Sequence, residues 1–398
     1  MKVSYLLITL SLLCSTAFAQ ESLEAYISDN KKEQFKYDYD KVEAESLKLR
    51  DSWIAPLNLQ YSYSKSNPYE EEQTSESAFV KMDQPIFASG GIYYGIKFAE
   101  ASRVYSNYSI EVAQRKLVKD AISLLMQIKQ MDYKIKKQEL QIKNSEINLA
   151  QKQEQYLNGQ LDSGFLDNAI IERNVVTQTL YDIQTNKERL ISKFNAISDM
   201  SYKNAEVPNL DTLTLEQFLA NNIVLDMSSS DIDKTRYNKD VTTAKYLPQV
   251  SLTAGYNWNK SDTVYKFGAN EKNYYDYGIK VSMPLDINTY RDIEASRIDY
   301  LKSGLVVEDR KRELKALFEQ VMQNIKNFEK KILLSIDNKK LYEKLLFETQ
   351  EMYSAGYKTS YDVDLLKNSV AIQSIDLKIF EIDKQLELLT LYEMYKNE

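Results

Sequence analysis

The side chains that could do covalent or acid–base chemistry form a restricted set in this sequence. The 398 residues include 58 acidic and 51 basic residues, but no histidine and a single cysteine, Cys14. This composition excludes Ser-His and Cys-His nucleophilic pairs and the common zinc and copper ligand sets. A hydrolase using paired carboxylates remains an alternative, yet the acids lie in charged runs typical of solvated helices. We therefore predict no enzyme activity, no cofactor and no metal site.

Two short segments do combine tyrosine, glycine and charged side chains, namely Tyr156–Asp167 and Tyr353–Asp364. Each segment interrupts a long helical pattern, and Gly159 and Gly356 allow a turn that an unbroken helix forbids. A tyrosine, a cation and an aspartate can hold neighbouring helix hairpins together through hydrogen bonds and ion pairs. Ordinary solvated turn chemistry is the alternative interpretation of these residues.

Four other segments alternate apolar and polar residues, as in VSLTAGYNWN from Val250 and YYDYGIKVSM from Tyr274. Alternation over about ten residues, with aromatic side chains on one face, is typical of a transmembrane β-strand. We predict strands at about 56–66, 76–85, 248–259 and 274–284, with cell-surface loops at 67–74 and 260–273. The candidates for aromatic girdles at the membrane interfaces are Tyr61, Tyr63, Tyr256, Trp258, Tyr275 and Tyr277. The alternative for these aromatics is the core of a β-sandwich. The residues predicted to face a lumen are Ser62, Ser64, Lys81, Thr253, Asn257 and Lys280.

The chain contains a tandem repeat. VKMDQPIF from Val80 matches IKVSMPLD from Ile279, and YLNG from Tyr156 matches YSAG from Tyr353. Between these motifs, apolar residues recur with the heptad spacing of coiled coils. We predict one helix hairpin at 88–200 with its tip at 156–167, and another at 288–397 with its tip at 353–364. A soluble coiled-coil scaffold would account for the helices but not for the strands.

The repeat divides the chain into four parts. Residues 1–19 are predicted to be a signal peptide, with Cys14 a less favoured lipidation site. Residues 20–200 form the first structural repeat, and 247–398 form the second. Residues 201–246 are predicted to be an equatorial connector, with a short helix near 215–221, a break at Ser228–Ser230 and the first helix of the second repeat. The net charge of −7, with both signs interspersed, gives no nucleic-acid footprint.

Two hairpins provide four strands, which are too few to close a barrel. Open sheet edges in lipid leave backbone groups unpaired at several kcal/mol each, and membrane barrels begin at eight strands. The predicted strands therefore require other copies of the chain to complete the wall.

The sequence resembles the TolC family of outer membrane efflux proteins. The resemblance rests on the P-x(2–3)-L-x-L strand starts at Pro56 and Pro248, on QPIF and MPLD, on the YxxG tips and on the tandem repeat. It implies a mainly α fold with a membrane β-barrel, assembled as a trimer with a 12-stranded barrel and an α-helical periplasmic tube. It also implies a location in the cell outer membrane, extending into the periplasm. The implied partners are a periplasmic adaptor (membrane fusion) protein and an inner-membrane pump of the RND or ABC type.

The same resemblance implies a gate at the periplasmic tips. Tyr353, Lys358 and Asp362 match gating positions of the second repeat. The full set of gate candidates is Tyr353, Gly356, Lys358, Asp362, Asp364, Tyr156, Gly159, Asp162 and Asp167. The chain departs from the family pattern at Leu365, where an acid is common. The predicted function is a passive exit duct for efflux or type I secretion, with a periplasmic coiled-coil adaptor or structural protein as the alternative.

Overall fold

A computed structural model describes residues 25–67, 72–262 and 270–396 of the chain. The predicted signal peptide at 1–19, including Cys14, lies outside the described residues. So do the central residues of both predicted surface loops, at 68–71 and 263–269.

The described chain consists of long helices and one small sheet. In chain order its elements are α1 (Asp29–Arg50), β1 (Asn58–Ser66), β2 (Gln73–Phe87), α2 (Gly91–Leu157), α3 (Ser163–Asn195), α4 (Leu215–Ala220), α5 (Ile223–Lys245), β3 (Gln249–Ser261), β4 (Asn270–Ser282), α6 (Thr289–Ser354) and α7 (Ser360–Tyr392). The two longest helices, α2 and α6, contain 67 and 66 residues, as the heptad pattern predicts. The predicted fold class, with tandem strand and helix hairpins, is confirmed for the single chain.

The sheet contains β1, β2, β3 and β4 in that order, and every neighbouring pair is antiparallel. The strand bounds differ from the prediction where backbone pairing outweighs side-chain polarity. β4 begins at Asn270 because its polar first residues pair with Trp258–Ser261 of β3. β1 begins at Asn58, since Pro56 has no amide hydrogen to donate to a ladder. β2 continues through Pro85, where the register with β3 shifts.

One compact unit comprises the described residues within Met1–Lys36, Glu111–Ile223 and Lys311–Glu398. Its core includes a cluster of side chains from α2, α3 and the connector, namely Leu125, Ile128, Ile191, Phe194 and Ala205. The end of the chain also packs here, because the Ile223 amide donates to the Met394 carbonyl at 3.0 Å and Arg115 Nη1 donates to the Tyr395 carbonyl at 2.9 Å. This unit contains both helix tips.

The second compact unit comprises Tyr37–Ile110 and Val224–Arg310, and it contains the whole sheet. Its helices are tied together by polar contacts, such as the 2.9 Å hydrogen bond between the Thr235 and Ser303 hydroxyls of α5 and α6. The Tyr246 hydroxyl, just after α5, donates to Asp292 in the first turn of α6. That hydrogen bond raises the pKa of Tyr246 to about 12.

The predicted helix break at Ser228–Ser230 is wrong, because α5 runs unbroken through it. The Ser228 hydroxyl donates to the Val224 carbonyl at 2.8 Å, and the Ser230 hydroxyl donates to the Met227 carbonyl at 2.7 Å. Hydroxyls that bond to the carbonyls of their own helix need no solvent or turn, so a run of serines can continue a helix.

Across the described ranges, no helix combines the length and the apolar character needed to cross a membrane.

Candidate functional site

The register of the sheet places all six girdle candidates on one face. Tyr61 lies opposite Ala78, which lies opposite Trp258; Tyr256 lies opposite Tyr275. The rings of Tyr275 and Tyr277 stack with their centroids 6.3 Å apart. Side chains directly opposite across strands share a face, so this surface is continuous from β1 to β4. We call it the apolar face.

Aliphatic side chains fill the rest of the apolar face, and many are exposed in the single chain. The exposed aliphatic residues on this face include Leu59, Leu252, Ile279 and Val281. Between the outer edges of β1 and β4, the backbone groups are paired from strand to strand, so hydrocarbon covers a hydrogen-bonded ladder there. That combination suits contact with lipid.

The loop end of the apolar face carries paired charges. Tyr61 donates from its hydroxyl to Glu76 at 3.1 Å, and Lys260 Nζ lies 3.3 Å from the same carboxylate. Trp258 donates from Nε1 to Glu271 Oε1 at 2.7 Å. Amphipathic rings whose polar ends meet charged groups are typical of residues at a membrane–water boundary.

The opposite face of the sheet is polar and carries all six residues predicted to face a lumen. The Ser62 and Ser77 hydroxyls are hydrogen bonded at 2.7 Å, and Lys280 forms a 3.3 Å ion pair with Asp83. Two aromatic residues, Phe79 and Tyr274, also lie on this face, opposite Asn257 on its two sides.

The two outer strands, β1 and β4, each have one unpaired edge in the described residues. Each of these edges exposes a row of backbone donors and acceptors. The sheet can therefore add strands on both sides.

The two tips share one backbone design. Gly159 and Gly356 have φ of 70° and 83°, in the left-handed region. In the first tip the Gly159 amide donates to the Tyr156 carbonyl at 2.9 Å, and in the second the Gly356 amide donates to the Tyr353 carbonyl at 3.0 Å. In each tip a second backbone hydrogen bond runs from an amide to a carbonyl farther back in the helix. The two hydrogen bonds together form a Schellman motif at both helix ends. The glycines are therefore required by the turn.

The aspartates at the tips serve first as helix caps. Asp162 accepts a hydrogen bond from the Gly164 amide at 2.9 Å and begins α3. Asp362 forms a capping box with Thr359, accepting from its amide at 3.0 Å. These backbone bonds are the leading cause that holds the pKa of each carboxyl below its ordinary value, and Lys358 adds to the effect at Asp362.

The remaining gate candidates lie at the surface of the tips. Asp364 forms an ion pair with Lys367 at 3.4 Å within α7. Tyr156 and Tyr353 have exposed side chains, as do Lys358 and Asp167. The structure does not bring these candidates together within one chain.

One contact between the tips was missed by sequence reasoning. Tyr361 donates from its hydroxyl to Glu154 Oε1 at 3.3 Å, which joins the start of α7 to the end of α2. Each residue lies five positions from its tip glycine, Glu154 before Gly159 and Tyr361 after Gly356. That symmetric spacing is the signal that could have identified the pair.

A polar ladder continues from this contact along the same two helices. Three α2 side chains, seven residues apart, bond to α7. The pairs are Asn144 with Asn368 at 2.8 Å, Lys137 with Asp376 at 2.7 Å and Gln130 with Asp383 at 2.5 Å. The two helix hairpins are thus joined through a seam of hydrogen bonds, which fixes direction and register more than it adds stability. Within the described ranges, no group of three or more acidic residues is placed to hold a metal ion.

Comparison with known proteins identifies this architecture. Residues 214–393 match the family model described as "Outer membrane efflux protein". No curated protein sequence matches the chain. The solved structures that it resembles include the outer membrane protein VceC of Vibrio cholerae, with a TM-score of 0.72 and 14% identity over 95% of this chain and 97% of that one.

Two further structures have the same fold. The CmeC outer membrane channel of Campylobacter jejuni gives a TM-score of 0.70 at 13% identity, covering 94% of this chain and 86% of that one. CusC, whose structures concern transmembrane channel formation, gives a TM-score of 0.70 at 14% identity, covering 94% and 90%. The family match over 214–393 and the shared channel fold both agree with the resemblance to TolC-family outer membrane efflux proteins.

Proposed function

We propose that this chain belongs to the TolC family of outer membrane efflux proteins and is the passive exit duct of a tripartite efflux or type I secretion system. A periplasmic adaptor protein and an inner-membrane pump, of the RND or ABC type, would deliver the cargo and supply the energy. The chain itself would provide a water-filled passage and a gate, with no covalent chemistry. The family match and the fold shared with outer membrane channels support this proposal.

The observation that carries the proposal is the open, one-sided sheet. Its apolar face suits lipid, but β1 and β4 would leave unpaired backbone groups in the hydrocarbon at several kcal/mol each. Pairing of β4 in one copy with β1 in the next removes both edges. Since barrels begin at eight strands, two copies are the minimum, and the family favours three copies with twelve strands. The polar face then lines the lumen.

The helices give the copies a second surface on which to meet. Apolar side chains stay exposed along α3 and α6, the helices that the polar ladder does not join. On α3 and α6 they include Ile171, Val175, Tyr181, Leu334, Leu341 and Phe347. Apolar patches of this extent on a single chain mark interaction surfaces, and neighbouring copies are the occupants proposed here.

The gate proposed at the tips combines one bond within the chain and several between copies. Tyr361 and Glu154 hold the two hairpins of one chain together at 3.3 Å. The exposed Tyr353 and Lys358 side chains would reach a neighbouring copy. A sideways shift of one hairpin would break these contacts and open the passage, as a two-state change at an interface.

Fractionation and gel mobility test the proposal together. The protein should sediment with outer membranes and run as a trimer that heating converts to a monomer. Recovery in the soluble periplasmic fraction as a monomer would instead support an adaptor or structural protein. Crosslinking from the tips, with identification of the captured periplasmic protein, then tests the adaptor.

A further inference from the structure

One row of residues across the polar face differs from its neighbours. Lys81 of β2, Gly255 of β3 and Asp276 of β4 are direct cross-strand partners, so a cation and an anion flank a glycine. With strands about 4.8 Å apart, the two charged residues have their Cα atoms about 10 Å apart. Toward the loops, the next row contains Phe79, Asn257 and Tyr274. This second row contains both aromatic residues of the polar face in the described strands, Phe79 and Tyr274.

The Asp276 carboxylate is held in position by its neighbours on β3. Asn257 donates from Nδ2 to Asp276 Oδ1 at 2.6 Å, and this asparagine is only 5% exposed. A Cβ atom at Gly255 would lie 2.9 Å from the same oxygen. The missing side chain of Gly255 therefore provides the space in which the carboxylate lies, and Asn257 fixes its direction.

The polar face of the described strands carries two acids, Asp83 and Asp276, and three lysines, Lys81, Lys272 and Lys280. Asp83, the other acid on the polar face, is paired with Lys280 at 3.3 Å. Lys81 places its Nζ 5.1 Å from the centroid of the Phe79 ring. Asp276 forms no ion pair in the described part of the chain, and its residue is exposed. A carboxylate that is fixed, exposed and without an ion-pair partner attracts cations that pass this face.

We propose that Asp276 is a selectivity residue of the barrel lumen, where its copies favour passage of cations and of solutes with a positively charged group. This inference rests on the proposed channel and names the charge preference of its barrel. Rings of carboxylates confer cation preference on pores, because each fixed charge raises the local concentration of its counter-ions. Lys81 in the same row and Lys272 on the same strand and face act in the opposite sense, and the copies of Asp276 offset them.

Reversal potentials of purified full-length trimers in planar bilayers, measured across a KCl gradient, test the assignment. Asp276→Asn keeps the Asn257 contact but removes the charge. It should lower the K⁺/Cl⁻ permeability ratio about fourfold, because one unit charge at about 10 Å in water changes the local cation and anion concentrations about twofold in opposite directions. Lys81→Gln should raise the ratio. Glu271→Gln is the matched control, because Glu271 lies on the same strand but on the apolar face, and it should leave the ratio unchanged.

A second substitution tests the position of the carboxylate with its charge kept. Gly255→Ala would displace the Asp276 side chain, so the ratio should fall by less than in Asp276→Asn. An unchanged ratio in Asp276→Asn trimers, or an equal fall in Glu271→Gln, would overturn the assignment while leaving the channel intact. A wild-type protein that conducts no ions would instead overturn the proposed function.

Discussion

The hydroxyl of Tyr361 lies 3.3 Å from Oε1 of Glu154, and this contact joins the two helix hairpins at their tips. It lies at the end of the polar ladder between α2 and α7, beyond the pair formed by Asn144 and Asn368. Any movement of one tip away from the other must break it first. The contact therefore gives the proposed gate a defined closed state.

Removing either partner should favour the open state. A hydrogen bond of this kind contributes about 1 kcal/mol, which corresponds to about a fivefold increase in resting conductance. Tyr361→Phe, Glu154→Ala and the double variant should give similar increases in planar bilayers, since each removes the same bond. Tyr357→Phe is the matched control, because Tyr357 is 84% exposed and near the same tip. Equal effects of Tyr357→Phe and Tyr361→Phe would contradict the role of this contact.

The capping box of Thr359 and Asp362 should make the start of α7 sensitive to acid. Its backbone hydrogen bond lowers the pKa of Asp362 from the ordinary 3.8. A lowered folded-state pKa means that the stabilisation is present above 3.8 and is lost as the pH falls through the lower folded value. Asp362→Ala should cost about 1 kcal/mol at neutral pH and accelerate amide exchange in the first turn of α7.

Hydrogen-exchange mass spectrometry at neutral and acid pH provides the readout for this cap. Relative to the intrinsic exchange rate at each pH, acid should reduce the protection of this turn in the wild type but not in Asp362→Ala. Asp364→Ala serves as the comparison, because Asp364 pairs with Lys367 and does not accept from the helix start. A larger effect of Asp364→Ala than of Asp362→Ala would be inconsistent with the cap. The earlier expectation that Asp362 also contributes to the gate stays a prediction, tested by the conductance of the same variant.

The tip glycines should not tolerate a side chain. Gly356 has a φ of 83°, where an alanine costs about 1 kcal/mol or more. Gly356→Ala should therefore lower the thermal midpoint of the trimer and increase protease cleavage at the second tip. Gly304→Ala should instead raise the thermal midpoint. Gly304 lies within α6 with nothing within 4 Å of an added Cβ, and alanine stabilises a helix by about 1 kcal/mol relative to glycine. Destabilisation by both substitutions, or by neither, would argue against the assigned turn.

The two faces of the sheet should respond differently to a new charge. Ile279 lies on the apolar face and is 71% exposed, so Ile279→Lys should cost about 2–4 kcal/mol in the membrane. Thr253→Lys places the same side chain on the polar face of the adjacent strand and should be tolerated. The yield of heat-modifiable trimer in outer membranes measures both. A tolerated Ile279→Lys together with a disruptive Thr253→Lys would reverse the assignment of the faces.

Local patterns in the sequence account for most of the fold. Alternation around Tyr256 and Tyr277 predicts strands because side chains of a strand point to opposite faces, and Gly159 and Gly356 predict turns because other residues avoid positive φ. The serine run at 228–230 predicts a break, and this prediction is wrong because the hydroxyls bond to carbonyls of their own helix.

The contacts of the candidate site are harder to predict from the sequence than the fold is. The pairs Tyr361 with Glu154 and Asn257 with Asp276 depend on which helices and strands meet and in what register. The resemblance implies a gating role for Asp362, yet its carboxylate accepts hydrogen bonds from the amide and the hydroxyl of Thr359 in its own turn. Long-range register is set by packing of the whole chain, which a local pattern does not contain.

The mass of the assembled particle tests the central claim most directly, because one chain supplies a sheet with two open edges. Native mass spectrometry of full-length protein, released from outer membranes in mild detergent, should give a particle of three chains that dissociates only with unfolding of the barrel. A folded single chain that stays monodisperse in detergent-free buffer would contradict the account.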